Sequence, residues 1–140
     1  MAAYLLDTNI ISPILKKQGD DSERIKSKLK SILRENSDIL ISPIVYYELA
    51  RWLHHRKAQK QLDFLENFIA CHKWCDLKKD TWNIAAKLWA GCRRKSPPTP
   101  TGEGLDKDVL IAAQAKEHNA IVVTNNIRHF QYLGVNHVSW

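Results

Sequence analysis

Ala3-Tyr4-Leu5-Leu6-Asp7-Thr8-Asn9-Ile10-Ile11 passes from an apolar run through a polar break to a second apolar run. Ala3 to Leu6 is apolar on both faces, as in a strand buried inside a sheet rather than lying at its surface. Asp7-Thr8-Asn9 then interrupts it with the short polar side chains that favour turns and helix caps. Ile10 to Lys17 continues as a short helix, with Pro13 near enough to its start to be tolerated. A buried strand that gives way at once to a helix is the opening of a parallel α/β arrangement.

The same alternation recurs along the chain. After a break at Gly19-Asp20-Asp21-Ser22, the spacing of Ile25, Leu29, Ile32 and Leu33 predicts a helix over Glu23 to Glu35. Ile39 to Ile41 reads as the second strand. Ser42-Pro43 opens the next helix as cap and first residue, with Val45, Leu49, Trp52 and Leu53 as its apolar stripe. A further helix spans about Lys57 to Ala70, with Leu62, Leu65, Phe68 and Ile69 inward. Trp74 to Leu77 reads as a third strand. Thr81 to Arg94 reads as a helix with Trp82, Ala85, Ala86 and Trp89 on a core-facing side. Ser96 to Gly104, rich in proline and glycine, reads as a surface loop. Leu105 to His118 is an alanine-rich helix, Ala120 to Val123 a β-branched strand, Thr124-Asn125-Asn126 a turn, Ile127 to Tyr132 a helical turn and His137 to Trp140 an edge strand. There are no internal repeats. The expectation is one domain over residues 1–140: a three-layer α/β fold with a mostly parallel sheet of four to five short strands between helices.

The bulk numbers narrow the function. The chain has 140 residues, of which 44% are hydrophobic and 26% charged, a composition for a soluble globular protein. No apolar run approaches the roughly 18–20 residues that span a bilayer, and Asp7 cuts the N-terminal apolar run short of a signal segment. A cytoplasmic protein with no membrane partner is expected. Cys71, Cys75 and Cys92 cannot all pair with one another, and a disulfide scaffold is out of place in such a chain. Cys71-His72-Lys73-Trp74-Cys75 has a zinc-like look, but no second ligand pair follows, so the cysteines read as ordinary packing or surface residues. Lys and Arg number 21 against 15 Asp and Glu, a formal charge of +6, which favours a polyanionic partner.

On that basic background the acids fall in a pattern. Asp7 follows the first strand, Glu48 lies in the helix after the second, Asp106 and Asp108 open the helix before the last strong strand, and Asn126 lies in the turn after it. Ligands of parallel sheets bind beyond the carboxyl ends of the strands, and these positions can all reach one such rim. Clustered carboxylates repel each other unless a cation sits among them. Hard oxygen donors suit Mg²⁺ or Mn²⁺, and such an ion activates water and offsets charge on a scissile phosphate. Each residue also has a plainer reading. Asp7 can cap its helix, Glu48 can be an exposed helix residue, Asp106 can be an N-cap with Asp108 favouring the helix dipole, and Asn126 can be a turn residue.

At these residues the chain resembles the PIN-domain nucleases of the VapC toxin group. Leu5-Leu6-Asp7-Thr8-Asn9-Ile10-Ile11 looks like their first motif, and Ile41-Ser42-Pro43-Ile44-Val45-Tyr46-Tyr47-Glu48-Leu49 their second. Asp108-Val109-Leu110-Ile111-Ala112-Ala113-Gln114-Ala115 resembles the third, and Val122-Val123-Thr124-Asn125-Asn126-Ile127-Arg128-His129-Phe130 the fourth. The resemblance implies a PIN fold, metal-dependent ribonuclease activity, a cognate antitoxin as partner of a type II toxin–antitoxin pair, and a homodimer. It places Asp7, Glu48 and Asp108 at the family's three acids, as catalytic residues and ligands for Mg²⁺ or Mn²⁺. Asn126 falls at the fourth position, as a neutral oxygen donor that would help fix water. Thr8 and Thr124 would steady the carboxylates through their hydroxyls. Asp106 is ambiguous, because residues two apart in a helix point about 200° away from each other, and it is kept as a supporting residue.

Two basic clusters are candidates for gripping RNA: Arg51, His54, His55, Arg56, Lys57 and Lys60 near the end of the Glu48 helix, and Arg93-Arg94-Lys95. The plainer reading of both is a solvated face. No histidine sits in a recognisable nucleophile motif, so none is given a catalytic role. Two rival readings stand beside the ribonuclease. One is an aspartyl phosphatase, which would want a second Asp where Asn9 stands; the other is a non-catalytic module that binds nucleic acid or a partner.

Overall fold

The computed structural model describes residues 2–16, 19–94 and 105–140. In chain order the elements are β1 (Ala3–Leu6), α1 (Thr8–Lys16), α2 (Asp20–Arg34), β2 (Asp38–Ile41), α3 (Pro43–His55), α4 (Gln59–Ala70), β3 (Lys73–Trp74), α5 (Lys79–Arg93), α6 (Leu105–Glu117), β4 (Ile121–Val123), α7 (Ile127–Leu133) and β5 (His137–Val138). The strands form one sheet in the order β3-β2-β1-β4-β5, and every neighbouring pair is parallel. This is the α/β architecture expected from the sequence, with helices flanking the sheet.

The topology places the site. From β1 the chain moves outward through β2 to β3, then returns to lay β4 on the other side of β1 and continues to β5. Right-handed crossovers in opposite directions put their helices on opposite faces. The packing agrees: α1 contacts α2, α3 and α4, and α5, α6 and α7 form a second group. The seam between β1 and β4 is therefore where the direction reverses, and the crevice beyond its carboxyl end is the natural ligand site of such a sheet. Register brings Leu6 beside Val123, and Asp7 N donates to Val123 O at 2.9 Å. Leu5, Leu6, Val122 and Val123 are completely buried, which is why both faces of these strands are apolar.

Local chemistry sets the helix ends. Ser42 Oγ accepts from Ile44 N at 3.2 Å with Pro43 as first helical residue, satisfying an amide that has no partner within the helix. α7 closes on Gly134, whose φ of +67° lies in the left-handed region that glycine adopts freely. α5 begins two residues before Thr81, because the Thr81 hydroxyl reaches back to accept Lys78 N at 3.0 Å; Thr81 belongs to the first turn, not the cap. Likewise only Gly19 stays outside α2. Asp20 and Asp21 enter its first turn, where their charge is favourable. α6 starts at Leu105, so Asp106 is not its cap. β3 is Lys73–Trp74, shorter than and offset from the expected Trp74 to Leu77. The Pro-rich stretch read as a surface loop, Ser96 to Gly104, lies outside the described residues, as does Lys17.

Several aromatic expectations are corrected. Trp82 and Trp89 are 52% and 43% exposed, not core. α5 turns its small Thr81, Ala85 and Cys92 inward, which rotates the two indoles to the rim. Trp52 is 57% exposed because α3 buries Val45, Leu49, Ala50 and Leu53 instead. Leu33 is also exposed. Cys75 and Cys92 are buried, Cys71 is exposed, and no disulfide joins them. No helix among the described residues is long and apolar enough to cross a membrane.

Candidate active site

Asp7 leaves the end of β1 fully buried. Burying a carboxylate is costly unless hydrogen bonds and charges compensate, and its surroundings supply them. Oδ1 accepts from Thr8 N at 2.7 Å, and Oδ2 from Thr124 Oγ1 at 2.8 Å. Thr124 is itself fixed at the end of β4, where Asn126 N donates to its oxygen at 2.9 Å. Thr8, the first residue of α1, donates its hydroxyl to Glu48 Oε1. Each threonine hydroxyl thus donates to one of the acids, Thr8 to Glu48 and Thr124 to Asp7.

Asp108 reaches the same crevice from the first turn of α6 and is 1% exposed. His129 Nδ1 lies 2.6 Å from its Oδ2, and Asn126 Nδ2 3.1 Å from the same oxygen. A proton on Nδ1 lets both nitrogens donate to the carboxylate, and the 3.0 Å approach between them follows from the shared acceptor. Burial pushes the Asp108 carboxyl up, the hydrogen bond from His129 pulls it back, and nearby Asp7 raises it again; the balance is upward. Asp108 Oδ1 is buried and has no hydrogen-bond partner. Asn126 therefore presents its amide nitrogen to the acid cluster, whereas the sequence suggested an oxygen donor.

Lys107 joins the acids. Its Nζ stands 3.3 Å from Asp7 Oδ1, 3.2 Å from Glu48 Oε1 and 3.8 Å from Asp108 Oδ1. Burial works against its charge, but the three carboxylates outweigh that and hold its pKa above the usual lysine value. Asp7, Glu48 and Asp108, on β1's end, α3 and α6, thus converge on one cation. As they stand, no three acidic, His or Cys side chains among the described residues are arranged to hold a metal ion. The ammonium spaces the oxygens at amine distances, longer than the ~2.1 Å of a Mg²⁺–oxygen bond. The donor set nevertheless fits a divalent ion: hard oxygens, a shared focus and a buried orphan oxygen on Asp108.

Other expected residues fall elsewhere. Asp106 is exposed on the far side of α6, in a groove with Trp82 and Trp89, and takes no part in the cluster; two residues of helix rotate it away from Asp108. Arg51 is exposed and lies over the Tyr47 ring at 5.3 Å, and Arg93 over Trp89 at 5.4 Å. Arg94 is exposed at the end of α5. Arg56 differs: it lines a groove of about 420 Å³ together with Thr8, Glu48, Leu49 and Trp52, continuous with the acid cluster through Thr8 and Glu48. Asn9 Oδ1 accepts from Asn125 N at 3.1 Å. The position where a phosphatase would carry its second acid is thus a clasp between α1 and the turn after β4.

The sequence profile of the PIN domain matches residues 4–135. The chain belongs to the PIN-domain family. Structural comparison agrees. Over 99% of this chain and 98% of the other, the PIN domain is similar to a chain of VapBC2 from Rickettsia felis bound to a DNA fragment from its promoter, with 26% identity and a TM-score of 0.81. A DNA-bound VapBC from Salmonella typhimurium gives 26% identity and a TM-score of 0.81, over 100% and 99% of the two chains. FitAcB from Neisseria gonorrhoeae gives 27% and 0.65, over 96% and 95%. A sequence comparison with curated proteins returns no match. The PIN domain is thus of the VapC toxin type, a group whose members are nucleases.

Within this PIN domain, sequence reasoning missed Lys107 and His129. A signal for each was present. Lys107 directly precedes the third acid, and His129 stands three residues after Asn126, one turn along α7. What the sequence lacked was the fact that α6 and α7 pack together, which turns a scattered histidine into a partner of Asp108.

Proposed function

We propose that this PIN domain is a Mg²⁺- or Mn²⁺-dependent endoribonuclease and the growth-inhibiting toxin of a toxin–antitoxin pair. The observation that carries this reading is the convergence of Asp7, Glu48 and Asp108 on a single positive charge at 3.2–3.8 Å. A divalent ion bound there would supply an activated water and charge compensation at phosphorus. Asp7 and Asp108, rigid and buried, are the residues to hold it. Glu48, with its side chain 26% exposed at the mouth, can accept a proton from the attacking water or position it. Asn126 and His129 keep Asp108 oriented, and Thr124 does the same for Asp7. Lys107 and the surrounding net charge of +6 favour the phosphate backbone, and the Trp52–Arg56 groove beside Glu48 offers an aromatic surface and a guanidinium to a neighbouring nucleotide. The PIN-domain chains that match come from VapBC and FitAB complexes, which supports a cognate antitoxin as partner. A homodimer in the cytoplasm completes the reading.

The test is cleavage of RNA by purified protein with Mg²⁺ or Mn²⁺, beside Asp7→Asn and Asp108→Asn, and the sequencing of RNA ends after controlled expression. The expected result is cleavage that EDTA abolishes and that falls by about 10³-fold or more in either variant. Cleavage indifferent to EDTA and to both substitutions would falsify the reading. Binding without cleavage would leave a non-catalytic module.

A further inference from the structure

We propose that Lys107 is the resident counter-ion of the carboxylate cluster, and that a divalent ion binds by displacing its ammonium. The inference rests on the metal-dependent reading above and goes beyond it.

The atoms are the same atoms. Asp7 Oδ1 and Glu48 Oε1, and more distantly Asp108 Oδ1, face Lys107 Nζ; these are the oxygens an ion between the three acids would use. An ammonium and a divalent cation cannot share them, because two positive centres a few ångströms apart repel strongly in a partly buried site. The lysine also fills its place imperfectly. It reaches Asp7 and Glu48 at 3.2–3.3 Å, yet stays 3.8 Å from Asp108 Oδ1, which is buried and has no hydrogen bond. A tenant that leaves one buried carboxylate oxygen unsatisfied can be replaced by one that satisfies all three acids.

The structure also provides an exit. Asp7 and Asp108 side chains are 1% exposed and pinned by Thr8, Thr124, Asn126 and His129, whereas the Lys107 side chain is 21% exposed on a flexible four-carbon stem. The acids stay and the lysine swings outward. Without a metal, Lys107 relieves the mutual repulsion of three carboxylates and so preserves the fold of the site. With a metal, the freed ammonium stands at the mouth, next to where a phosphate would enter. The consequence is a metal affinity weaker than that of the bare carboxylates, set by exchange of one cation for another.

The experiment measures Mn²⁺ binding to the purified full chain by calorimetry, for wild type, Lys107→Met, Lys107→Arg and Asp7→Asn, with thermal midpoints in EDTA and in saturating Mn²⁺. Lys107→Met is expected to bind Mn²⁺ roughly tenfold or more tightly than wild type, and Lys107→Arg within about threefold of it. The midpoint of Lys107→Met should fall in EDTA and recover in Mn²⁺. If that variant does not fold, Lys107→Gln takes its place, and a Mn²⁺-loaded wild-type crystal structure gives an independent answer. Lys107 Nζ still against Asp7 and Glu48 with the ion bound overturns the proposal, as does equal or weaker binding by the neutral variant. If wild type binds Mn²⁺ and the neutral variant matches it, only the displacement fails. If wild type binds no more than Asp7→Asn, the metal-dependent reading fails with it.

Discussion

Thr124 Oγ1 donates to Asp7 Oδ2 at 2.8 Å across the seam where β4 lies beside β1. Both side chains are fully buried, so the bond cannot be replaced by water. Thr124→Val keeps the shape and removes the donor. It should lower stability by about 1–3 kcal/mol, the cost of an unsatisfied buried polar group, while Thr124→Ser keeps most of it. Urea denaturation of the three proteins in EDTA is the measurement, and a valine variant as stable as wild type would refute the assignment.

His129 and Asp108 make a second prediction. With Nδ1 2.6 Å from Oδ2, His129 fixes the orientation of the Asp108 carboxylate. Partners of this kind are worth about 10–100-fold in activity or metal affinity. His129→Ala should lose that much in RNA cleavage and in Mn²⁺ affinity together. His129→Asn, which can place an amide nitrogen near the position of Nδ1, should recover part of both. A loss in the alanine variant that asparagine does not mend would point to a different role.

The groove next to Glu48 yields a prediction for the proposed RNA substrate. Trp52 is 57% exposed and shares the groove with Arg56. Trp52→Ala should weaken binding of a short RNA on the order of tenfold, the worth of one stacked base. Arg56→Ala should reduce the slope of log affinity against log salt by about one. Both are read by fluorescence anisotropy in an Asp7→Asn background, where substrate is not consumed. Unchanged affinity and slope would move the RNA path elsewhere.

Cys75 carries a pH prediction. Burial raises its thiol pKa to about 11, with Asp76 and Glu117 adding to the effect. An unfolded thiol titrates at about 8.5. A folded pKa above the unfolded one means the stabilising contribution is complete below the unfolded value and is lost as pH climbs through the folded value. Stability should therefore decline between about pH 8.5 and 11, and more steeply in wild type than in Cys75→Ala. A thiol reagent at neutral pH should label exposed Cys71 first, with Cys75 and Cys92 reacting only on unfolding. Equal alkaline slopes in the two proteins would show that Cys75 is not responsible.

Local sequence settled the strand cores, the aliphatic part of the helix stripes and the position of each acid along the chain. Leu5-Leu6 and Val122-Val123 could only be buried strands, Ser42-Pro43 could only begin a helix, and Asp7 had to follow β1, because each of these depends on neighbours a few residues away. The rest depended on how helices rotate and cross once packed. That α5 turns Trp82 and Trp89 outward follows from its packing against α6, not from its own periodicity. Two residues of helix turn Asp106 away from Asp108, whereas Lys107 enters the site because the fold brings Asp7 and Glu48 within its reach. His129 meets Asp108, and Lys107 meets Asp7, only through contacts 21 and 100 residues apart in the chain. Such long-range encounters are settled by topology and packing of the whole core, and local spacing places the residues without showing what they meet.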